Sequence, residues 1–502
     1  MPPERGGAPR AALLVVLVAG ALRLLFAALI PLFPDETYYW DWSRHLAAGY
    51  FDHPPVLAWL IAGGTLLFGD TPFGVRVLPV LAGIAATLLL VDLSARAWGD
   101  RAALVAAVSI NVLPLAAAGL VLATPDAPLL FAVSLGLWAI VRALLQPVRS
   151  RESFAWWCVA GVALGLAFSS KYTSILLPVG LTIAVLWYPA LRARLREPGP
   201  YVACVIATLI FLPVLRWNAA HEWVSFAFQL GHGLGTPKGS PLKRELDLVG
   251  GQLGLVSPVI FVLLGIVAVR SLRRTSRDID AALATIAVFT FLFFMWSATR
   301  RAVEANWPAP AYLAAVPLLA AAIARDEWRR SARWGLGLAL ATSLVVYAHA
   351  TLGILPLAAR RDPLARSAGW DSLAVAATLE ARTVRTGHAW LAGDRYQEAS
   401  ELAFHSAGHP ATFATNIGSR ANQYDLWPGF AATARQGDAL ILALDDGTDI
   451  HPTVVALAPH FAAMRAGMRI PLLRGRDTVT VRRLWILEGW RGTWPAAAAR
   501  HP

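Results

Sequence analysis

The chain is poor in charged residues, and this shortage excludes most soluble proteins of its size. Asp, Glu, Lys and Arg together make up 15% of its 502 residues, whereas hydrophobic residues make up 57%. A typical globular domain carries about 25% charged residues, so too little polar surface is available here to cover a water-soluble fold. A lipid bilayer must therefore cover part of the chain.

Cysteine is also scarce, which excludes a disulfide-stapled fold. The two cysteines, Cys158 and Cys204, lie in apolar segments without a neighbouring Cys or His at a metal-ligand spacing. We therefore expect neither a disulfide nor a zinc site. The net charge is +12, but the arginines occur in short clusters between apolar runs. Because they form no continuous basic face, we expect no nucleic-acid partner.

Long apolar runs are what the sequence has in abundance. The first follows the basic residues Arg5 and Arg10, is long enough to span a bilayer and lacks a convincing cleavage site, so it predicts a transmembrane helix and not a signal peptide. Similar runs of about 20 residues predict eleven spans in all. They lie at 11–32, 75–97, 102–122, 127–145, 155–170, 173–190, 201–217, 249–269, 280–298, 309–324 and 334–356.

The arginine clusters predict how these spans are oriented. If the N-terminus is cytoplasmic, the loops on the inner side hold most of the arginines, and the outer loops are much poorer in Lys and Arg. An odd number of spans then places the C-terminal part outside. The inner-loop arginines are Arg96, Arg101, Arg142, Arg149, Arg151, Arg192, Arg194, Arg196, Arg270, Arg273, Arg274, Arg277, Arg325, Arg329, Arg330 and Arg333.

The composition changes after the last apolar run, where His, Asp and Gly become more frequent. We expect a membrane domain over residues 1–356 and a small soluble α/β domain over residues 357–502. Within the second domain, residues 438–444 and 481–487 are predicted to be strands, and residues 397–408 a helix that ends at a glycine.

The segment after the first run, residues 34–55, is dense in carboxylates and aromatic residues. It belongs to an external loop that we place at residues 32–74. The apolar stretch 56–70 is too short for a comfortable span and predicts an interfacial helix. The aromatic rings suit stacking against a sugar or an interfacial belt, and the belt is the simpler interpretation for any single ring. These rings belong to Tyr38, Tyr39, Trp40, Trp42 and Tyr50.

This loop resembles the first external loop of bacterial membrane glycosyltransferases. The likeness extends over most of the membrane part. The matching residues are Asp35-Glu36, Tyr50-Phe51-Asp52-His53-Pro54-Pro55, Leu67-Phe68-Gly69, Arg76, Thr124-Pro125-Asp126, Ser170-Lys171-Tyr172 and Glu304-Ala305-Asn306-Trp307-Pro308. The family contains relatives of the protein O-mannosyltransferases and of the aminoarabinose transferases that modify lipid A.

The resemblance implies a polytopic α-helical GT-C fold in the inner membrane. It also implies an inverting glycosyltransferase that takes a sugar from a polyprenyl-phosphate donor lipid. A lipid, a glycan or a protein on the outer face of the membrane would be the acceptor. A transporter or flippase is the alternative, although no halves of matching hydropathy are evident and the polar residues cluster at the outer helix ends.

Three carboxylates are assigned to catalysis by the resemblance. Asp35 takes the role of the base that activates the acceptor hydroxyl, with Glu36 as its supporting neighbour, and Asp126 is the second acid of the site. The alternative is structural, since Asp35 could cap the interfacial helix and Asp126 the fourth span. We expect the carboxylates to serve one pocket open to the carrier lipid.

Positive groups are needed to stabilise the leaving phosphate. His53 stands where the aminoarabinose transferases typically carry a lysine, and histidine could instead act as a proton carrier or metal ligand. A divalent metal on Asp35, Asp52 and His53 therefore stays open. The candidates for binding the donor phosphate are His53, Arg76, Lys171, Arg300 and Arg301, each of which could instead extend toward lipid headgroups.

Two further features lead to expectations about single residues. Arg23 lies near the middle of the first span, where a charge is costly, so we expect it to face the protein interior and pair with an acid buried in the bundle. In the C-terminal domain, two polar and aromatic segments, 393–406 and 418–430, look familiar from bacterial members of the family. The acceptor-binding candidates in them are Arg395, Tyr396, Asn422 and Tyr424, with ordinary loop chemistry as the alternative.

Overall fold

The structure is a computed structural model that describes residues 10–237, 239–447 and 449–495, apart from the side chain of Arg360. Residues 1–9 of the predicted membrane domain, which include Arg5, and residues 496–502 of the predicted soluble domain lie outside the described part of the chain. The chain divides into two compact units. The membrane unit consists of residues up to Leu29, Ala47–Gly49 and His53–Leu352, and the C-terminal unit consists of Ile30–Leu46, Tyr50–Asp52 and the chain from Gly353 onward.

The membrane unit is helical throughout. Apolar residues and many alanines favour helix over long stretches, and prolines start or interrupt several of its helices. The helices are α1 Arg10–Leu29, α3 Val56–Phe68, α4 Pro72–Trp98, α5 Asp100–Val112, α6 Pro114–Gly119, α7 Asp126–Leu144, α8 Arg151–Phe168, α9 Leu176–Trp187, α10 Pro189–Arg192, α11 Gly199–Ala220, α12 Val224–Leu234, α13 Pro241–Val256, α14 Pro258–Ser271, α15 Asp278–Ala298, α16 Ala309–Ala324 and α17 Arg329–Leu352.

Six of the described helices are long and apolar enough to cross a membrane, or up to eight if each bent pair is counted as one span. They are α1, α4, α7, α11, α15 and α17. The expected run 249–269 is not one straight helix, because the chain bends by 103° between α13 and α14. Pro258 has no backbone N–H to continue the helix, and Ser257 before it adopts a positive φ of 75°.

The expected run 102–122 is also divided. It ends as α5 at Val112 and resumes as the short α6 at Pro114, with extended backbone at Leu113. The apolar stretch after the first loop does form a helix, α3, of 13 residues. Helix α16 is short as well, but 13 of its 16 residues are buried, so protein surrounds it on all sides.

Arg23 in α1 is buried, and within the described part of the chain no carboxylate pairs with it. Its guanidinium donates to the Asn111 side-chain oxygen over 2.8 Å and also bonds Tyr347. The expectation of a buried acidic partner is therefore wrong. Neutral oxygens satisfy part of the guanidinium instead.

The C-terminal unit is built on a five-stranded sheet in the order β2-β1-β3-β5-β4. The first three strands in this order are parallel, and the last two join antiparallel. The strands are β1 Ala389–Gly393, β2 Thr412–Ala414, β3 Ala439–Asp445, β4 Phe461–Arg474 and β5 Asp477–Trp490, and the helices are α2 Pro34–Ser43, α18 Trp370–Ala381, α19 Tyr396–His405, α20 Phe430–Thr433 and α21 Pro452–Leu457.

Both faces of this sheet are covered. In β3, Ile441 and Ala443 pack in one core with α18 and α19, whereas the alternate residues Leu440 and Leu442 pack in a second core with Phe430. Both predicted strands are confirmed by β3 and β5. The predicted helix is confirmed by α19, which ends at His405, three residues before the expected glycine.

The aromatic residues of the first loop belong to the interior of the C-terminal unit. Trp40 packs edge to face on Phe404 of α19 with ring centres 5.0 Å apart, and Trp42 stacks on Tyr50 at 4.5 Å. Tyr38, Trp40, Trp42 and Tyr50 are at most 2% exposed. The interfacial-belt interpretation is wrong for these four, because side chains so deeply buried cannot reach lipid headgroups.

Candidate active site

Asp35 lies in the first turn of α2 and is partly exposed. Its Oδ1 accepts a hydrogen bond of 3.0 Å from the Tyr396 hydroxyl at the start of α19. Within the described part of the chain, its Oδ2 accepts no hydrogen bond. Burial, reinforced by the neighbouring Asp35 charge, raises the pKa of Tyr396, so that the phenol stays protonated as a donor.

Glu36 performs the structural role that was the alternative for Asp35. Its carboxylate accepts the backbone N–H of Phe33 over 3.1 Å, which ties down the start of α2. Glu36 is 1% exposed. The two neighbouring carboxylates therefore differ, since Glu36 is committed to the helix start while Asp35 keeps one oxygen available.

Asp52, at the end of the same loop, is held by two partners. Tyr38 donates to it over 2.7 Å and Arg420 over 2.8 Å. Burial raises the pKa of Asp52 despite the opposing charge of Arg420. The Arg420 guanidinium also lies 5.0 Å from the centre of the Tyr396 ring. Arg420 is thus close both to Asp52 and to the tyrosine that donates to Asp35.

Asn422 and Tyr424 are buried and already bonded. The Tyr424 hydroxyl donates to Asp41 over 2.6 Å, and the Asn422 amide donates to the Asn416 side-chain oxygen over 2.9 Å. Burial raises the pKa of Asp41. Asn422 is 1% and Tyr424 7% exposed, so both side chains support the fold of the C-terminal unit, and their contact with an acceptor stays a prediction.

The second carboxylate, Asp126, is the first residue of α7 in the membrane unit. The Lys171 ammonium donates to its Oδ1 over 2.7 Å, and the Asn306 amide donates to its Oδ2 over 2.6 Å. Lys171 also lies 5.8 Å from the centre of the Trp307 ring. Three separate segments singled out by the resemblance thus meet in one polar group, which is more than a helix cap requires.

An apolar cavity of about 310 Å³ opens beside this group. Asp126, Asn306 and Thr124 form a polar part of its lining, and most of the remaining wall is apolar side chains of α5, α6, α7 and α16. This lining, with a few polar groups beside a largely hydrocarbon wall, suits an amphipathic ligand.

The other predicted phosphate ligands lie in different environments of the membrane unit. His53 is 3.4 Å from the Gln229 amide. Arg76 is fully buried and donates to the Ala27 carbonyl. Arg300 and Arg301 donate to the carbonyls of Leu234 and Gly231 at the end of α12, where cations are favoured by the helix dipole. Among the described residues, no hydrogen bond or ion pair joins these four to Asp126, Lys171 or Asn306.

The sequence leaves open a divalent metal on Asp35, Asp52 and His53. Among residues 10–237, 239–447 and 449–495, no three His, Cys, Asp or Glu side chains are grouped so that they could hold a metal ion.

Two residues of the site were not singled out in the sequence. Arg420 belongs to the segment 418–430, which was noted only for its polar and aromatic character, and nothing local distinguishes this arginine from others. Asn306 was part of a matching motif but received no role. A polar amide in an outer loop between two apolar helices was the signal available for it.

Comparison with known proteins identifies the family of this chain. The family model described as dolichyl-phosphate-mannose-protein mannosyltransferase matches residues 52–217. The lipid A galacturonosyltransferase RgtD of Rhizobium johnstonii is 30% identical over 353 residues, which cover 70% of this chain and 71% of that protein.

Two further relatives share less sequence or only the fold. An undecaprenyl phosphate-alpha-4-amino-4-deoxy-L-arabinose arabinosyl transferase of Pseudomonas paraeruginosa is 35% identical over 196 residues, 36% of this chain and 35% of that protein. The match thus spans about a third of that relative's length. The crystal structure of ArnT from Cupriavidus metallidurans bound to undecaprenyl phosphate has a TM-score of 0.62 at 17% identity, covering 98% and 99% of the two chains.

The apolar helices and the RgtD relative together indicate a multi-span membrane glycosyltransferase, and its C-terminal part contains a small sheet. The chain belongs to the family of polyprenyl-phosphate-dependent GT-C glycosyltransferases that includes the protein mannosyltransferases and the lipid A glycosyltransferases. It transfers a sugar from a polyprenyl-phosphate donor, and the transporter alternative is not favoured.

Proposed function

We propose that this chain transfers one sugar, with inversion, from an undecaprenyl-phosphate carrier to lipid A on the outer face of the inner membrane. The acceptor is suggested by the RgtD relative, whose name specifies lipid A and which aligns over most of both chains. The carrier is suggested by the name of the arabinosyl transferase relative.

The observation that carries the assignment of the base is the open oxygen of Asp35. Tyr396 fixes the carboxylate through Oδ1, which leaves Oδ2 to accept the proton of an acceptor hydroxyl. The hydroxyl oxygen attacks the anomeric carbon, the bond from that carbon to the carrier phosphate breaks, and the carrier leaves as its phosphate anion. Direct displacement inverts the anomeric centre.

The Asp126 group is assigned to the donor side. Lys171 keeps two N–H donors beyond its bond to Asp126, and these suit phosphate oxygens. The adjoining apolar cavity suits an isoprenoid chain. That the Asp35 and Asp126 groups serve one reaction is a prediction, and variants of both groups test it.

The orientation is proposed on the arginine clusters of the predicted inner loops. They support a cytoplasmic N-terminus and an extracytoplasmic C-terminal domain from residue 357, and the apolar runs of the sequence support eleven spans. Replacing Cys158 and Cys204 with alanine and introducing single cysteines at exposed positions of the C-terminal unit allows labelling of intact cells. Labelling of such a site only after cell lysis would contradict this orientation.

The function itself is tested by reconstitution. The full-length protein in proteoliposomes is supplied with lipid A and undecaprenyl phosphate carrying either galacturonic acid or 4-amino-4-deoxy-L-arabinose. We expect lipid A that is heavier by one sugar, detected by mass spectrometry. Unmodified lipid A with both donors, from protein that is folded and inserted, would remove lipid A as the acceptor.

A further inference from the structure

The C-terminal unit contains a pocket that includes neither Asp35 nor Asp52 in its lining. It has a volume of about 200 Å³, room for roughly six waters at about 30 Å³ each. Its wall joins the starts of α18 and α19 to strands β4 and β5. The polar and aromatic side chains of this wall include Arg366, Trp370, Arg395, Gln397, Glu398 and Arg482.

Positive charge dominates this wall. Three arginines face one glutamate. The charge of Arg482 is already paired, because its guanidinium bonds Glu398 over 3.0 Å and also bonds Asp445. Arg366 and Arg395 are exposed, and within the described residues their guanidinium groups make no hydrogen bond or ion pair. Two guanidinium forks are thus available to an anion.

The same wall also contains acceptors that need donors. The Gln397 Oε1 and the second carboxylate oxygen of Glu398 are buried and have no hydrogen-bond partner. Glu398 is 3% exposed. Such atoms are costly when unsatisfied, and hydroxyl groups of a sugar are donors of the right kind.

The starts of two helices add to the preference for an anion. Trp370 begins α18 and Arg395 precedes α19, and neither helix start has a side-chain cap. Helix N-termini favour negative charge. The Trp370 ring provides an apolar surface of the kind on which sugars stack.

The pocket also adjoins the proposed base. Pro34 lines it and directly precedes Asp35, while Arg395 directly precedes Tyr396, which donates to Asp35. An acceptor group bound in this pocket would therefore lie close to the acceptor hydroxyl that Asp35 activates.

We infer that this pocket binds a saccharide bearing an anionic substituent, a phosphate or a carboxylate, carried by the acceptor. The inference rests on the proposed function for its link to the acceptor. Arg366 and Arg395 bind the anion, and Gln397 and Glu398 accept from the sugar hydroxyls.

Binding is measured without any donor lipid, so that the pocket is tested separately from sugar transfer. The full-length protein in detergent is titrated calorimetrically with glucosamine 1-phosphate, with glucosamine and with inorganic phosphate. We expect glucosamine 1-phosphate to bind most tightly. The Arg366→Ala/Arg395→Ala variant should bind it about tenfold more weakly or worse, and replacement of both by lysine should recover part of the loss.

Two controls separate the possible outcomes. Arg382→Ala, an exposed arginine at the other end of α18, should bind like the wild type. Asp35→Asn should also bind normally even though transfer is lost, so failure of the proposed function leaves this result intact. Equal binding by the double alanine variant and the wild type, or no binding by the wild type, would overturn the inference. Inorganic phosphate binding as tightly as the sugar phosphate would overturn the saccharide assignment.

Discussion

The two units bury carboxylates in different ways. In the membrane unit, Asp126 is neutralised by the ammonium of Lys171 and further held by Asn306. In the C-terminal unit, each of three carboxylates accepts a tyrosine hydroxyl, and two of them, Asp52 and Asp41, also pair with Arg420 and Arg44. Tyr396 donates to Asp35, Tyr38 to Asp52 and Tyr424 to Asp41, over 3.0, 2.7 and 2.6 Å.

This difference suggests a division of labour. A lysine paired with a carboxylate is suited to hold an anion, because it stays charged and has donors to spare. Asp35 differs, because among the described residues its side chain bonds a phenol and forms no ion pair, so no cation competes for the proton that it would accept. Substitutions in the two groups should therefore affect transfer and stability differently.

The largest effect is expected at Asp35. Asp35→Asn keeps the shape and an oxygen for Tyr396 but removes the base, so transfer should fall by about a thousandfold, within the range for general base catalysis. The melting temperature should change little. Initial rates in proteoliposomes are the measurement. Asp371→Asn, an exposed carboxylate in the first turn of α18, is the matched control, and a rate for Asp35→Asn near that control would exclude Asp35 as the base.

The Asp126–Lys171 pair should show a different pattern. Lys171→Met leaves a buried carboxylate without its cation, which costs about 3–5 kcal/mol of stability. The double variant Asp126→Asn/Lys171→Met should recover most of the stability, yet transfer should stay about a hundredfold low because the donor phosphate has lost its cation. Thermal unfolding and transfer rates are measured on the same samples.

An exposed pair provides the control for this experiment. Lys243 and Asp247 are also 2.7 Å apart, but their side chains are 76% and 63% exposed. Lys243→Met should therefore cost less than about 1 kcal/mol and leave transfer unchanged. If the double variant of the buried pair recovers full transfer, the pair is structural and the comparison between the two units fails.

A smaller effect is expected at Tyr396. Tyr396→Phe removes the hydroxyl that orients Asp35, and transfer should fall about tenfold, in line with the loss of one hydrogen bond to a charged group. Tyr424→Phe removes the equivalent donor from Asp41, which lies outside the proposed reaction, so it should lower stability but not the rate per folded molecule. Equal rates for the two variants would argue against a positioning role of Tyr396.

Local sequence predicted the parts of the fold that depend on neighbouring residues. The alternation in 438–444 and the helical pattern in 397–408 were sufficient for β3 and α19. The bend at Ser257-Pro258 was overlooked because hydropathy over about 20 residues is insensitive to one proline, although the proline itself was a usable signal.

Contacts between distant segments could not be predicted in the same way. The aromatic residues of α2 have a pattern that suits a membrane interface as well as a core, and the choice depends on Phe404 and Tyr396, more than 350 residues away. Arg420 meets Asp52 over a separation of 368 residues. Motif resemblance selected Asp126 and Lys171 individually, but their direct bond appears only in three dimensions.

The smallest effect on transfer, and a distinct effect on stability, is expected at Glu401 in α19. It is fully buried, and burial raises its pKa from an ordinary value near 4.5 to about 7, although His405 lies 3.1 Å away. The native state therefore binds the proton more tightly than the unfolded chain. This stabilisation is complete below about pH 4.5 and is lost as the pH rises through 7.

Glu401→Gln removes this titration and should make the C-terminal unit more stable than the wild type at pH 8, by roughly 3 kcal/mol. Near pH 5 the two proteins should differ little. The other buried carboxylates of the unit titrate in both proteins, so the difference between their melting temperatures across pH 5–8 isolates Glu401, and Asp477→Asn at an exposed position controls for the loss of a charge. A difference that does not grow with pH would mean that Glu401 is ionised in the native state throughout, and that burial does not hold its proton.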